Sequence, residues 1–205
     1  MYKISFAVSK LFQFGTDPSV EHLQAAKHVL RYLKLTRNYS ISYGNGPLQH
    51  SGLSDVNWAS DKNERKSFTG YIFLVNNGPV SWSSHKQSTI SQSTLEAEYM
   101  TLSDASQESI AHSHLYKELH IPIDISVIYC DNLGALTQAK TPTNYPRSKH
   151  IDLHYHFIRH SLNDNTLAVD YIPGEENPAD VLTKALGRTK HHYLLSQMGL
   201  QMDFM

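Results

Sequence analysis

An α/β fold built on a mixed sheet is what this sequence predicts, on three observations. Three strand-like segments come first, and the last two meet at an Asn-Gly turn. After a long helical stretch, short apolar runs alternate with helical segments. The resulting order, β-β-β-α-β-α-α-β-α, puts antiparallel neighbours first and strands joined through helices later. Such an order implies a mixed sheet with helices packed on it.

Each element has a local reason. Residues 18–35 read as a helix, with Leu23, Ala26, Leu30 and Leu33 as an apolar stripe. Lys27, Arg31 and Lys34 fall at i, i+4 and i+7 on another face, which is either solvated or placed to meet phosphates. Residues 38–49 are strand-like but broken by Gly44, Asn45, Gly46 and Pro47, which marks a boundary. Strands are predicted over 50–58 and 69–75, the second ending at Asn76-Asn77-Gly78, with a third from Pro79 through Trp82. A helix over 94–119 sets Leu95, Tyr99, Leu102, Ser106 and Ile110 near one face. The run 125–130 reads as a buried strand leading into a helix over 133–139. A helix over 152–162 precedes a strand over 167–172. The next helix starts with Asn177 as N-cap and Pro178 in the first position, and Gly187 is placed to stop it. An amphipathic piece over 193–198 ends at Gly199, and no internal repeat is present.

Composition narrows the class. The 205 residues suit one domain with an appendage of about 50 residues. Forty percent are hydrophobic and 18% charged, an ordinary globular balance, and no apolar run approaches the ~20 residues that cross a bilayer. The patchy start MYKISFAVSKLFQF does not read as a signal peptide, so a non-secreted protein is expected. The single cysteine, Cys130, excludes an internal disulfide framework and a multi-cysteine zinc site. The net charge of −1 hides an asymmetry: residues 1–50 carry six Lys/Arg against Asp17 and Glu21, while the remainder is acidic. A basic piece joined to an acidic one suits a polyanion on one part and metal cations on the other.

Four acids stand where packing does not call for them. Asp55 lies inside an apolar strand, Glu98 near the start of the long helix, Asp131 at a strand end, and Asp180 in the first turn of NPADVLTK. Strand ends and helix starts can converge on one edge of an α/β sheet. Converging carboxylates repel one another unless a divalent cation intervenes, and hard oxygen ligands suit Mg²⁺ or Mn²⁺. Each acid also has a plainer reading: Asp180 as a partner of the helix dipole, Asp131 as a cap, Glu98 as part of an exposed face.

The motifs point further. The stretches ISFAVSKL, HLQAAKHVLRYLK, GLSDVNWASDKNERKSFTGYIF, VSWSSHKQSTISQSTLEAEYMTLSDA, IYCDNLGAL, RSKHIDLHYHFIRH and VDYIPGEENPADVLTKAL span nearly the whole chain. Together they resemble the C-terminal part of the Pol polyprotein of copia-type LTR retrotransposons, where the end of the reverse transcriptase meets the ribonuclease H domain. The resemblance implies a ribonuclease H-like five-stranded mixed sheet flanked by helices, preceded by a small helical thumb or connection remnant. It divides the chain into that remnant (1–48), the ribonuclease H domain (49–187) and a helical tail (188–205). It implies hydrolysis of the RNA strand of an RNA–DNA hybrid with two Mg²⁺ ions, Mn²⁺ being a substitute, in a cytoplasmic virus-like particle or the nucleus. The hybrid and the remainder of Pol are the implied partners, and no membrane is.

Residue by residue, the resemblance makes Asp55, Glu98, Asp131 and Asp180 both catalytic and metal-binding, with Glu96 in reserve for Glu98 because STLEAEY holds two glutamates. Asp61 belongs to the same family segment, but its place after the strand suggests a turn or a supporting role. Lys27, Arg31, Lys34, Gln92, Ser93 and Lys149 are the candidate nucleic-acid contacts, although Ser93 serves equally as a helix cap. The polymerase palm with its paired aspartates is absent from these residues. The loop 173–177 lacks the histidine found in many related enzymes, leaving Glu175 or Glu176 as a substitute in product release. His112 and His114 also depart from the family pattern. His156 and His160 have zinc-compatible spacing, but neither an HExxH glutamate nor a nearby cysteine supports it. The alternative is a catalytically silent remnant acting at most as a nucleic-acid-binding module.

Overall fold

The computed structural model describes residues 2–44, 48–141 and 149–202. Helices α1 (Ser5–Phe12) and α2 (Val20–Leu35) lead into the short strand β1 (Tyr39–Ile41). Strands β2 (His50–Asn57), β3 (Phe68–Val75) and β4 (Gly78–Lys86) precede the long helix α3 (Thr94–Glu118). Then come β5 (Val127–Cys130), α4 (Leu133–Lys140), α5 (Lys149–Asn163) and β6 (Ala168–Tyr171). A 3-10 helix (Pro178–Leu182), α6 (Arg188–Gln197) and β7 (Leu200–Met202) complete the order.

The main sheet has the order β4-β3-β2-β5-β6. Its first three strands are antiparallel, and β5 and β6 run parallel to β2. The mixed sheet expected from the element order is thus present. Strand β3 shows why both faces are buried: Phe73 faces one core, and Ile72 and Leu74 face the other, as the two-residue period requires. The first core joins Phe73, Ile128 and Val169 to Tyr99 and Leu102 of α3, Leu136 of α4 and Ile158 of α5. The second joins Leu53, Ile72 and Leu74 to Val181 and Leu182 of the 3-10 helix, Leu194 and Leu195 of α6, and Tyr2. The first and last strands pair outside the main sheet, Ser40 opposite Gln201.

Several boundaries differ from the sequence reading. The β3–β4 turn is made by Asn76 and Asn77, both at positive φ (48° and 64°), and Gly78 already pairs with Val75. Two positive φ values suit the primed turn that matches strand twist. Strand β4 also runs four residues beyond Trp82. In α2, Leu23 and Leu30 are exposed, whereas His22, Ala26, Val29 and Leu33 are half-buried. The helix touches little besides α1, so its apolar period identifies a helix without saying which side meets a neighbour. The helix expected from Asn177 to Gly187 is only a five-residue 3-10 turn. Asn177 caps it, accepting from Ala179 N at 3.1 Å. Thr183 N–H returns to the Asp180 carbonyl at 3.2 Å, and the Thr183 and Lys184 side chains turn toward Asp55. Gly187 then becomes the N-cap of α6 instead of a stop.

At the start of β2 lies a polar cluster that no motif announced. His50 is buried, hydrogen-bonded through Nδ1 to Ser126 Oγ and through Nε2 to His112 Nδ1 at 3.0 Å. Burial and the neighbouring His112 lower its pKa to about 4.

Candidate active site

The parallel register of β2 and β5 sets Ser54 beside Cys130, so Asp55 and Asp131 leave one sheet edge at adjacent positions. Helix α3 begins beside this edge. Ser93 caps it by accepting from Glu96 N at 3.1 Å, and Glu98 follows in the next turn. The loop after β6 is pinned to β2 by Asn177 Nδ2, which donates to the Ser54 carbonyl at 2.8 Å. That anchor presents Asp180 on the 3-10 helix. Two glycines permit the close approach. A Cβ on Gly174 would lie 2.7 Å from Asp131 Oδ2, and one on Gly70 would lie 2.6 Å from Thr183 Cγ2 and 2.7 Å from Leu182 Cβ.

Asp55 and Asp180 are 1% and 2% exposed, and both are paired. Lys184 Nζ donates to Asp55 Oδ1 at 3.1 Å and to Asp180 Oδ1 at 2.6 Å. Lys190 Nζ donates to Asp180 Oδ2 at 2.7 Å, and Thr183 Oγ1 donates to Asp55 Oδ2. Burial raises the pKa of Asp55, an effect that Lys184 only partly offsets. Burial also acts to lower the Lys184 pKa, but the Asp55 and Asp180 charges outweigh it and hold the ammonium charged.

Glu98 and Asp131 form the other half. Ligand atoms of Glu98, Cys130 and Asp131 all lie within 4.8 Å of one another. The Cys130 thiol is 4.0 Å from Glu98 Oε2. Burial, followed by the charges of Asp55 and Asp131, raises Glu98 well above an ordinary carboxyl. Asp131 is raised too, chiefly by burial. Carboxyl groups that resist ionisation beside one another are those a divalent cation would relieve. The oxygen-rich donor set and the ammonium already bridging Asp55 and Asp180 fit such an ion.

The remaining sequence candidates fall elsewhere. Glu96 Oε2 accepts from Gln92 N at 2.8 Å, so this carboxylate closes the helix start and Glu98 faces Asp131 and Cys130. Gln92 and Ser93 are exposed at that helix start. Lys27, Arg31 and Lys34 are exposed on α2, where Gln24, Lys27, Leu30 and Arg31 line a shallow concavity. Lys149 opens α5, but its side chain lies outside the described residues. Asp61 makes a turn, accepting from the Asn63 and Glu64 amides at 2.9 Å each. Glu175 and Glu176 are exposed. His154 bonds Ser103 at 2.7 Å, and His160 pairs with Asp164 at 3.1 Å. Sequence reasoning missed Thr183, Lys184 and Lys190. The available signals were the family stretch VDYIPGEENPADVLTKAL, which holds Thr183 and Lys184, and the position of Lys184 four residues after Asp180, a spacing at which side chains meet on a helical turn.

The mixed five-stranded sheet with its carboxylate-lined edge defines a ribonuclease H fold. LC11-RNase H1, isolated from compost by a metagenomic approach, matches with a TM-score of 0.50 at 16% identity, covering 66% of this chain and 92% of that one. In sequence, the chain is 41% identical over 199 residues to the retrovirus-related Pol polyprotein from transposon RE1 of Arabidopsis thaliana. It is 36% identical over 197 residues to that from transposon TNT 1-94 of Nicotiana tabacum. Each alignment covers 96% of this chain, which spans only 14% and 15% of the two polyproteins. No family model matches the chain. The chain belongs to the family of the Pol polyproteins of copia-type LTR retrotransposons and carries the ribonuclease H fold.

Proposed function

We propose that this module hydrolyses the RNA strand of RNA–DNA hybrids in a metal-dependent reaction during retrotransposon reverse transcription. The observation that carries this reading is the convergence of Asp55, Glu98, Asp131 and Asp180, from four separate elements, on one sheet edge. Two Mg²⁺ ions, or Mn²⁺ in their place, would supply an activated water and a stabilised leaving oxygen. Asp55 would bridge the two positions, Glu98 and Asp131 would hold the one near the leaving 3′-oxygen, and Asp180 the one near the attacking water. The products would be a 3′-hydroxyl and a 5′-phosphate. Recognition would rest on backbone shape and 2′-hydroxyls, with weak sequence readout.

In this reading residues 1–48 are a reverse-transcriptase remnant, 49–187 the nuclease and 188–205 a tail, acting beside the remainder of Pol in a virus-like particle or the nucleus. Lys27, Arg31 and Lys34, with Gln92, Ser93 and Lys149, are the proposed substrate contacts. The exposed basic face of α2 also favours a second reading, a nucleic-acid-binding remnant without turnover. Labelled hybrid incubated with the purified chain and Mg²⁺, Mn²⁺ or EDTA separates the two. Metal-dependent cleavage that Asp55→Asn abolishes is the expected result. Binding without cleavage, or cleavage indifferent to Asp55→Asn, overturns the nuclease assignment.

A further inference from the structure

The site holds a cation of its own. Lys184 Nζ lies between one oxygen of Asp55 and one of Asp180, at 3.1 and 2.6 Å. Lys190 touches only the outer oxygen of Asp180, at 2.7 Å. We propose that Lys184 is a resident counter-ion: its ammonium bridges Asp55 and Asp180 until a divalent ion displaces it, so that metal affinity is set by competition with the chain's own lysine. The inference rests on the reading of Asp55 and Asp180 as metal ligands.

Three features support displacement over a fixed structural bridge. The aspartates are almost wholly buried, whereas the Lys184 side chain is 34% exposed. A released ammonium therefore reaches water without crossing the core, and only its attachment to the two carboxylates is lost. Thr183 keeps a separate bond to Asp55, so the loop is not freed when the lysine leaves. A divalent ion and an ammonium also seek the same oxygens. The divalent ion carries twice the charge but gives up hydration water reluctantly, so a charge-assisted pair already in place is a real competitor. Lys184 accordingly acts on the metal only through the two carboxylates: it occupies the oxygens that the ion must take.

Mn²⁺ titrations read by the electron paramagnetic resonance of the free ion, on the full chain, test this. Lys184→Gln is expected to tighten Mn²⁺ binding roughly tenfold, the scale of one lost charge-assisted pair. Lys190→Gln, which touches a single outer oxygen, is expected to change it less. Unchanged or weaker binding in Lys184→Gln, while the wild type binds and Asp55→Asn does not, overturns the counter-ion role and leaves the metal site standing. Failure of the wild type to bind, or equal binding by Asp55→Asn, overturns the site reading beneath it. Should Lys184→Gln fail to fold, the wild type still decides. Reductive methylation mapped by mass spectrometry should show Lys184 several-fold more reactive with saturating Mn²⁺, relative to exposed Lys62. Unaltered Lys184 reactivity overturns the proposal.

Discussion

Replacing Gly70 with Ala tests whether the site depends on how closely the 3-10 helix lies on the sheet. Gly70 pairs with Asp55 across β2 and β3, and an added Cβ would stand 2.6 Å from Thr183 Cγ2 and 2.7 Å from Leu182 Cβ. Two motions are needed to relieve this clash. Thr183 can rotate, which breaks its bond to Asp55, but the Leu182 Cβ contact yields only if the 3-10 helix lifts as well, which carries Asp180 away from Asp55. Overpacking of this kind costs about 1–3 kcal/mol. The strand gains roughly 0.5–1 kcal/mol from Ala over Gly. The net change expected in urea unfolding is a loss of about 0–2.5 kcal/mol. Activity should suffer far more, because a displacement of about 1 Å at a reacting centre can cost 100-fold. Single-turnover cleavage of labelled hybrid, measured beside the unfolding curve, gives both quantities. Gly187→Ala, which meets nothing within 4 Å, controls for the loss of a glycine. Near-wild-type cleavage by Gly70→Ala would refute the claim that this contact sets the Asp55–Asp180 geometry.

Three further outcomes follow from named contacts. Glu98→Gln should reduce cleavage far more than Glu96→Gln, whose carboxylate accepts from the Gln92 amide at 2.8 Å and whose loss should instead lower thermal stability slightly; the reverse ranking in cleavage assays transfers the role to Glu96. Replacing Lys27, Arg31 and Lys34 together with Gln should weaken hybrid binding and flatten its salt dependence while leaving saturated single-turnover cleavage nearly unchanged; an unaltered slope in binding titrations removes α2 from the substrate surface. His50, with a folded pKa of about 4 against an unfolded value near 6.5, contributes stability that is present above pH 6.5 and lost as pH falls toward 4, about 3 kcal/mol in all. Burial of Asp55 and Glu98 works in the opposite direction as pH rises, so the difference between wild type and His50→Gln in urea unfolding across pH 4–7 isolates the histidine; identical pH profiles sink this assignment.

Much of the site was legible as parts. Asp131 follows a short apolar run and Asp180 follows an N-cap and a proline, contexts that local chemistry recognises. The choice of Glu98 over Glu96 came from likeness to related domains. The structure supplies a separate physical difference, since one carboxylate turns back to close the helix and the other reaches Asp131 and Cys130. Lys184 was harder to see because a lysine near a helix start ordinarily reads as solvated surface. Its importance arises from bridging Asp180 to Asp55, a residue far away in the chain.

Sequence alone determined the five strands of the main sheet, most of the helices and the order in which they occur, because periodicity, caps and turn residues act over a few positions. Tertiary structure decided what those signals leave open. It exposed Leu23 and Leu30 of α2, since no neighbour covers that side among the described residues. It shortened the segment after Asn177 to one 3-10 turn, because Thr183 and Lys184 find partners on Asp55 that continuing the helix would forgo. It joined His50, His112 and Ser126, which no spacing rule connects. Above all, the parallel pairing of β2 with β5 set Asp55 beside Asp131. That pairing depends on burying two sheet faces at once, a sum over long-range contacts that no short stretch of chain contains.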